Sequence, residues 1–175
     1  MGRGEIRRKA ELYDETAWMY DKRYGYQQSL KHAAALSELP VGKKDVVADL
    51  GCGTGDLLKK IRNLGGLGVG FDFSLKMLLE ARRKHPDLDF VLADVHRLPL
   101  KPSSCSKVFA VTLLQNVNVN VFLEELARIC RPHGQALLSS LAKVAEPFIQ
   151  SILKLKPRKI FSVDEDIMAV MELQG

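Results

Sequence analysis

The sequence predicts an α/β fold in three layers, with a doubly wound, mainly parallel sheet between two layers of helices. Short apolar strands alternate with helical segments over residues 45–141, a glycine-rich turn follows the first strand, and 175 residues suit one domain. Strands that alternate with helices form βαβ units. Because the crossovers of such units are right-handed, the helices cover both faces of the sheet.

The first 40 residues are predicted to be helical. Apolar side chains recur there at spacings of four, three and four residues, which places them on one helix face: Tyr13, Ala17, Tyr20 and Tyr24. Pro40 then begins a turn. We therefore expect a helical region, 1–40, ahead of a core, 41–175, within a single domain.

The remaining elements follow in chain order. Five parallel strands are predicted at Asp45–Leu50, Gly68–Phe73, Phe90–Ala93, Val108–Leu114 and Gln135–Leu141. The helices between them are predicted at Asp56–Leu64, Ser74–Lys84, with Ser74 as its N-cap, and Val121–Cys130. In the tail, a helix over Pro147–Leu155 precedes a short antiparallel hairpin, formed by Lys159–Val163 and Ile167–Leu173.

Composition and cysteine usage exclude several classes of protein. Hydrophobic residues make up 46% and charged residues 27% of the chain, as in ordinary soluble proteins. The longest apolar run, Val108–Leu114, is far shorter than the ~20 residues of a membrane span, and no apolar signal segment follows the basic start. The three cysteines show no zinc-ligand spacing and indicate reduced thiols. We expect a cytoplasmic protein without a metal or membrane contact.

The net charge of +5 is concentrated largely at the two ends of the chain. Basic residues crowd the first ten positions, with Arg7 and Arg8 among them, and a second segment that includes Lys154 and Arg158. Such runs are typical of solvated chain ends, and they also suit a surface that faces phosphates. The sequence leaves both interpretations open.

The glycine-rich turn predicts a ligand site. Gly51, Gly53 and Gly55 alternate directly after the first strand, and ligands of open α/β sheets bind at the carboxyl ends of the strands. Neither GxGxxG nor a phosphate-binding Gly-Lys-Ser/Thr is present. Asp49 is poorly suited to hold a pyrophosphate and suits a ligand that carries positive charge.

Two more carboxylates follow at strand ends. Asp72 ends the second strand and can accept hydrogen bonds from ribose hydroxyls, although it can also act as a charge at a helix N-terminus. Asp94 ends the third strand and can accept a hydrogen bond from an adenine amino group. Together with the glycine turn, these residues describe a nucleoside site without phosphates.

This combination resembles the class I S-adenosylmethionine-dependent methyltransferases, which have a Rossmann-like fold. The similar segments are Asp49-Leu-Gly-Cys-Gly-Thr-Gly, Gly70-Phe-Asp-Phe-Ser, Ala93-Asp-Val-His-Arg-Leu-Pro-Leu and Arg131-Pro-His-Gly. Tyr13-Asp and Tyr20-Asp are similar to the lid helix of the small ubiquinone-biosynthesis-like and wobble-uridine tRNA branches. The resemblance implies that residues 1–40 form a lid.

The resemblance also implies a role for individual residues toward S-adenosylmethionine and its product S-adenosylhomocysteine. Asp49 faces the methionine ammonium, and the backbone of Gly51, Cys52 and Gly53 lines the methionine portion. The other assigned residues are Asp72 for the ribose, Phe73 and Met77 beside the adenine, Asp94 and Val95 at its edge, and Leu114 and Gln115 near the sulfonium. Met77 suits a core position equally well.

The resemblance implies a methyltransferase, but the acceptor and the catalytic residues stay unknown. We can name no general base, and His96 is expected to point to solvent. The charge and the tRNA-modifying relatives favour RNA or a translation component, reached through Arg7, Arg8, Lys154 and Arg158. The alternatives are a small-molecule methyltransferase, a non-catalytic cofactor-binding subunit with an activating partner, and a nicotinamide-dependent oxidoreductase.

Overall fold

The computed structural model describes residues 3–173, and for residues 3–7, 9 and 10 it describes the backbone alone. Seven strands form one sheet in the order β3-β2-β1-β4-β5-β7-β6. The strands are β1 Val46–Leu50, β2 Leu67–Asp72, β3 Asp89–Leu92, β4 Cys105–Ala110, β5 Cys130–Leu141, β6 Lys159–Val163 and β7 Asp166–Glu172. The helices are α1 Arg3–Thr16, α2 Tyr20–Glu38, α3 Asp56–Asn63, α4 Leu75–Lys84, α5 Val119–Ile129 and α6 Glu146–Leu153.

The sheet is doubly wound, as the sequence predicts. Strands β1 to β5 pair in parallel, and β7 pairs antiparallel with both β5 and β6. The chain moves outward from β1 through β2 to β3, and then returns to β4 on the other side of β1. A ligand crevice is therefore expected at the carboxyl ends of β1 and β4.

Two clusters of buried apolar side chains lie on the two faces of the sheet. Successive residues of β4 alternate between them, with Val108 in one cluster and Phe109 in the other. Helices α5 and α6 cover the face of Val108, and α2 and α3 cover the face of Phe109. Because both faces are buried, the parallel strands need apolar residues at successive positions, which explains their nearly continuous apolar runs.

Two predicted boundaries are wrong at functionally important places. The fourth strand ends at Ala110 rather than Leu114, because Thr112 adopts a left-handed backbone with φ +54° and its N–H is bonded to Ser139 Oγ, outside the strand ladder. The fifth strand begins at Cys130, directly after α5, rather than at Gln135. The segment after Ala110 therefore leaves the sheet and lies beside the crevice.

Helix α1 packs against the start of α4. Ser74 Oγ, the N-cap of α4, donates to Asp14 Oδ1 at 2.5 Å, and the backbone N–H of Lys76 donates to the same oxygen at 3.0 Å. The rings of Tyr13 and Phe73 meet edge to face, with centroids 5.9 Å apart. These contacts place the N-terminal helices over the carboxyl ends of the strands.

The three cysteines are buried free thiols. Over residues 3–173, no helix combines the length and apolar character that a membrane crossing requires.

Candidate functional site

The turn between β1 and α3 brings open backbone to the crevice. Gly51 and Gly53 have φ angles of +71° and +52°, in the left-handed region that favours glycine. A Cβ at Gly51 would lie 2.9 Å from Leu113 Cδ1, whereas a Cβ at Gly53 would meet nothing within 4 Å. A side chain at Gly51 would therefore have to displace the end of Leu113, and Gly53 leaves its backbone accessible to a ligand.

Asp49 presents a buried carboxylate with an unpaired oxygen. The residue is 2% exposed, and its Oδ2 has no hydrogen-bond partner in the described part of the chain. Burial, and after it the charge of Asp72, raise the pKa of Asp49 to about 7 against the opposing effect of the backbone N–H of Leu58. A buried carboxylate of this kind is stabilised by a cation, so the site fits the ammonium group in the methionine portion of S-adenosylmethionine.

Asp72 holds the glycine turn and the start of α4 together. Its Oδ2 accepts from the N–H of Gly53 at 2.9 Å, and its Oδ1 accepts from the N–H of Ser74 at 2.9 Å. Burial raises the pKa of Asp72 against the lowering effect of these backbone donors. Each oxygen keeps a second lone pair, so the carboxylate can also accept hydrogen bonds from ribose hydroxyls.

Three adjacent hollows meet at Gly51. The Asp49 hollow, about 40 Å³, is lined by Asp49, Cys52, Gly53, Tyr20, Gln28 and His32, among others. The Asp94 hollow, about 20 Å³, is lined by Asp72, Phe73, Asp94, Val95 and His96, among others. The Tyr13 hollow, about 40 Å³, is lined by Tyr13, Tyr20, Met77, Leu113 and Asn116, among others.

These hollows bring together nine of the eleven cofactor residues that the resemblance implies. Leu114 and Gln115 line none of the three. Leu114 is buried in the core, and Gln115 is bonded to backbone: its Nε2 donates to the Thr112 carbonyl at 2.6 Å, and its Oε1 accepts from the N–H of Leu141 at 3.2 Å. Leu113 and Asn116 stand in the crevice instead, because the chain leaves the sheet at Ala110.

His96 was expected to point to solvent, but its side chain is largely buried. Its side chain is 13% exposed, and its Nδ1 lies 2.6 Å from Asp94 Oδ1. The N–H of Asn118 donates to its Nε2 at 3.0 Å, so the proton of the neutral ring is on Nδ1. His96 thereby joins the segment after β3 to the start of α5.

A buried network anchors the segment after β4. Lys31 Nζ, from α2, lies 2.8 Å from Asp166 Oδ1 on β7. The other carboxylate oxygen accepts from Thr112 Oγ1 at 2.8 Å and from Ser139 Oγ at 2.6 Å. The network joins α2, β5 and β7 to the backbone that borders the crevice. No motif marks Lys31, because these contacts join residues far apart in the sequence.

Two tyrosines of the N-terminal helices, Tyr13 and Tyr20, lie over the crevice with bonded hydroxyls. Asn116 Nδ2 donates to the Tyr13 hydroxyl at 3.0 Å, and Gln28 Nε2 donates to the Tyr20 hydroxyl at 3.4 Å. Burial raises the pKa of both phenols. The structure places both residues at the wall of the site.

The basic residues of the two chain ends do not form one surface. Arg158 precedes β6, the edge strand that β4, β5 and β7 separate from β1. Helix α1, with Arg8, packs on α4 near the β2–β3 edge of the sheet. Lys154, Arg158 and Arg8 are exposed, and the Arg7 side chain lies outside the described residues.

Comparison with known proteins gives one family. The profile of the methyltransferase domain family matches residues 48–138. A malonyl-[acyl-carrier protein] O-methyltransferase of Marinomonas sp. is 33% identical over 149 residues, which cover 82% of this chain and 55% of that protein. A demethylmenaquinone methyltransferase of Beutenbergia cavernae is 32% identical over 138 residues, which cover 76% and 58%. The chain thus spans little more than half the length of these two relatives.

Solved structures share the fold. One belongs to a complex between the Haloferax volcanii Trm112 methyltransferase activator and a candidate methyltransferase, with a TM-score of 0.75, 21% identity, and coverage of 93% of this chain and 96% of that one. Another is a Streptomyces coelicolor geranyl diphosphate C-methyltransferase in complex with S-adenosyl-L-homocysteine, with a TM-score of 0.73, 11% identity, and coverage of 83% and 79%.

Proposed function

Because the chain belongs to the class I S-adenosylmethionine-dependent methyltransferases, we propose that it transfers a methyl group from S-adenosylmethionine to an acceptor. The observation that carries this proposal is the unpaired, buried Oδ2 of Asp49 beside the open backbone of Gly53. A buried anion next to accessible backbone suits a ligand that ends in an amino acid.

Different residues of the chain contact different portions of the cofactor. Asp49 binds the ammonium, Asp72 accepts hydrogen bonds from the ribose, and Phe73 and Met77 lie beside the adenine. When bound, S-adenosylmethionine supplies an electrophilic methyl group on its sulfonium. The protein orients this group toward the acceptor and excludes water, and in-line positioning supplies much of the rate enhancement.

We propose that α1, together with the start of α2 at Tyr20, moves to admit the cofactor. Each of the three hollows holds 40 Å³ or less, whereas ligand pockets hold about 300 Å³ or more. Tyr13 and Tyr20 form part of their walls. Movement of this segment enlarges the hollows while Lys31 and Ala35 keep the rest of α2 on the sheet, and its closure then shields the reacting atoms.

For the acceptor we propose a small molecule rather than RNA. Arg8 lies on α1 at the β3 side of the sheet, whereas Arg158 adjoins the opposite edge strand, β6, so these described basic residues form no single surface at the crevice. The relatives named above act on malonyl-[acyl-carrier protein] and demethylmenaquinone. The substrates in these names favour an acceptor that is a small molecule, or a small group on a narrow chain, and can therefore enter the crevice.

Two measurements test the proposal. Calorimetric titration with S-adenosylhomocysteine should give saturable binding to one site. Absence of binding would contradict the proposed methyltransferase function. Labelled S-adenosylmethionine, incubated with separated small-molecule, RNA and protein pools, should label the small-molecule pool. Labelling of RNA would overturn the proposed acceptor alone. Binding without transfer to any pool would favour the non-catalytic subunit, or a need for an activating partner.

A further inference from the structure

His32 carries a second unpaired polar atom in the Asp49 hollow. The ring extends from α2 into the wall of this hollow, and its Nδ1 is buried without a hydrogen-bond partner among the described residues. Three buried side-chain atoms share this property over that part of the chain: His32 Nδ1, Asp49 Oδ2 and Ser140 Oγ. Two of these three residues, Asp49 and His32, therefore line one small hollow. The carboxylate oxygen is an acceptor, and Nδ1 of His32 is a donor in the tautomer that carries its proton there.

The charged donors near this hollow are bonded elsewhere. Lys84 Nζ lies 2.5 Å from Asp21 Oδ2 and 2.8 Å from Asp56 Oδ1. Lys31 is paired with Asp166, and Lys60 Nζ donates to Ser29 Oγ at 3.4 Å. An anion that enters the hollow finds His32 Nδ1 as a donor without a competing partner.

The His32 ring is uncharged near pH 7. Burial is the main cause that lowers the pKa of His32 to about 4; the positive charges of Lys60, Lys31 and Lys84 act in the same direction, and Asp56 opposes them. The hollow is also lined by the carboxylates of Asp21, Asp49 and Asp56. The neutral ring can donate one hydrogen bond to an acceptor of the ligand.

We propose that His32 Nδ1 donates a hydrogen bond to the carboxylate of the methionine portion of the cofactor, while Asp49 binds the ammonium of the same portion. An amino acid presents one cation and one anion on neighbouring atoms, and the hollow offers one buried acceptor and one buried donor. This inference rests on the proposed function, because it assumes that S-adenosylmethionine is the ligand.

The test compares two ligands that differ in the methionine portion. S-adenosylhomocysteine contains it, and 5′-methylthioadenosine lacks it. For His32→Leu, which removes the donor, we expect affinity for S-adenosylhomocysteine to fall about tenfold and affinity for 5′-methylthioadenosine to stay within about twofold. His32→Asn, which keeps an amide near the position of Nδ1, should retain affinity for both. Equal losses for both ligands, or no loss for either, would overturn the role of His32.

A second measurement uses the unmodified protein and needs no variant to fold. The pKa of His32, followed by NMR of its ring, should rise when S-adenosylhomocysteine binds, because a nearby carboxylate stabilises the protonated ring. It should not rise with 5′-methylthioadenosine. An unchanged His32 pKa in the S-adenosylhomocysteine complex contradicts this inference alone, whereas failure of the wild-type protein to bind either ligand contradicts the proposed function as well.

Discussion

Lys31 of α2 and Asp166 of β7 form an ion pair inside the protein, with Nζ and Oδ1 2.8 Å apart and the residues 3% and 0% exposed. The pair ties an N-terminal helix to the last strand of the chain. Through Thr112 Oγ1, which donates to the same carboxylate, it also holds the backbone beside the crevice. Stability and site geometry therefore depend on one buried network.

The first prediction concerns this ion pair. Lys31→Met leaves the Asp166 carboxylate buried without its cation, and breaking such a pair destabilises a protein by about 3–5 kcal/mol. Urea denaturation should show this loss in the free energy of unfolding. As a matched control, Lys59→Met removes an exposed pair with Asp87, 3.0 Å apart, and should change stability far less. Equal effects of the two substitutions would argue against the network.

The second prediction concerns pH. Because the pKa of Asp49 is raised to about 7, the free protein carries a neutral Asp49 at acidic pH and a carboxylate above pH 7. A ligand with an ammonium group binds the carboxylate form. The dissociation constant of S-adenosylhomocysteine should therefore rise up to about tenfold per pH unit below pH 7 and be nearly constant above it. Calorimetry at pH 5.5–8 checks this, and Asp49→Asn should flatten the profile.

The third prediction concerns Asp72. Asp72→Ala leaves the N–H groups of Gly53 and Ser74 without their acceptor, which should destabilise the protein by about 1–3 kcal/mol. It also removes the proposed ribose contact. S-adenosylhomocysteine at 100 times its dissociation constant for the wild-type protein should stabilise that protein by about 2.7 kcal/mol. The same concentration should stabilise the variant much less, as measured by thermal unfolding.

The fourth prediction concerns the N-terminal helices. Asp14→Ala removes both hydrogen bonds from α1 to the start of α4. Amide hydrogen exchange over residues 3–16 should become faster, while exchange in β1 and β4 should not change. Glu80→Ala is the control, because it removes an ion pair with Arg83 that lies within α4. If Glu80→Ala accelerates amide exchange in α1 as much as Asp14→Ala does, Asp14 does not hold α1 against α4.

The fifth prediction concerns the basic tail. The double variant Lys154→Ala, Arg158→Ala should keep methyl transfer to its preferred acceptor within about twofold, because exposed charges away from a site act only through screened fields. A large loss, together with a steep dependence on salt, would instead indicate that phosphates of an RNA contact this segment.

The strand–helix alternation was sufficient to predict the parallel sheet and the antiparallel hairpin, since each depends on local periodicity. It was also sufficient to predict that Asp49, Asp72 and Asp94 meet. They follow neighbouring parallel strands, whose carboxyl ends share one edge of the sheet whatever the details of packing.

The tertiary structure alone decided the rest of the site. Leu114 and Gln115 were displaced from the crevice because Thr112 takes a left-handed backbone, which its contact with Ser139 stabilises. His32 entered the wall of the Asp49 hollow because α2 packs across the sheet, and His96 was drawn inward by Asp94 and Asn118. Apart from the His96–Asp94 contact, these contacts join residues distant in the chain, so periodicity and local motifs do not predict them.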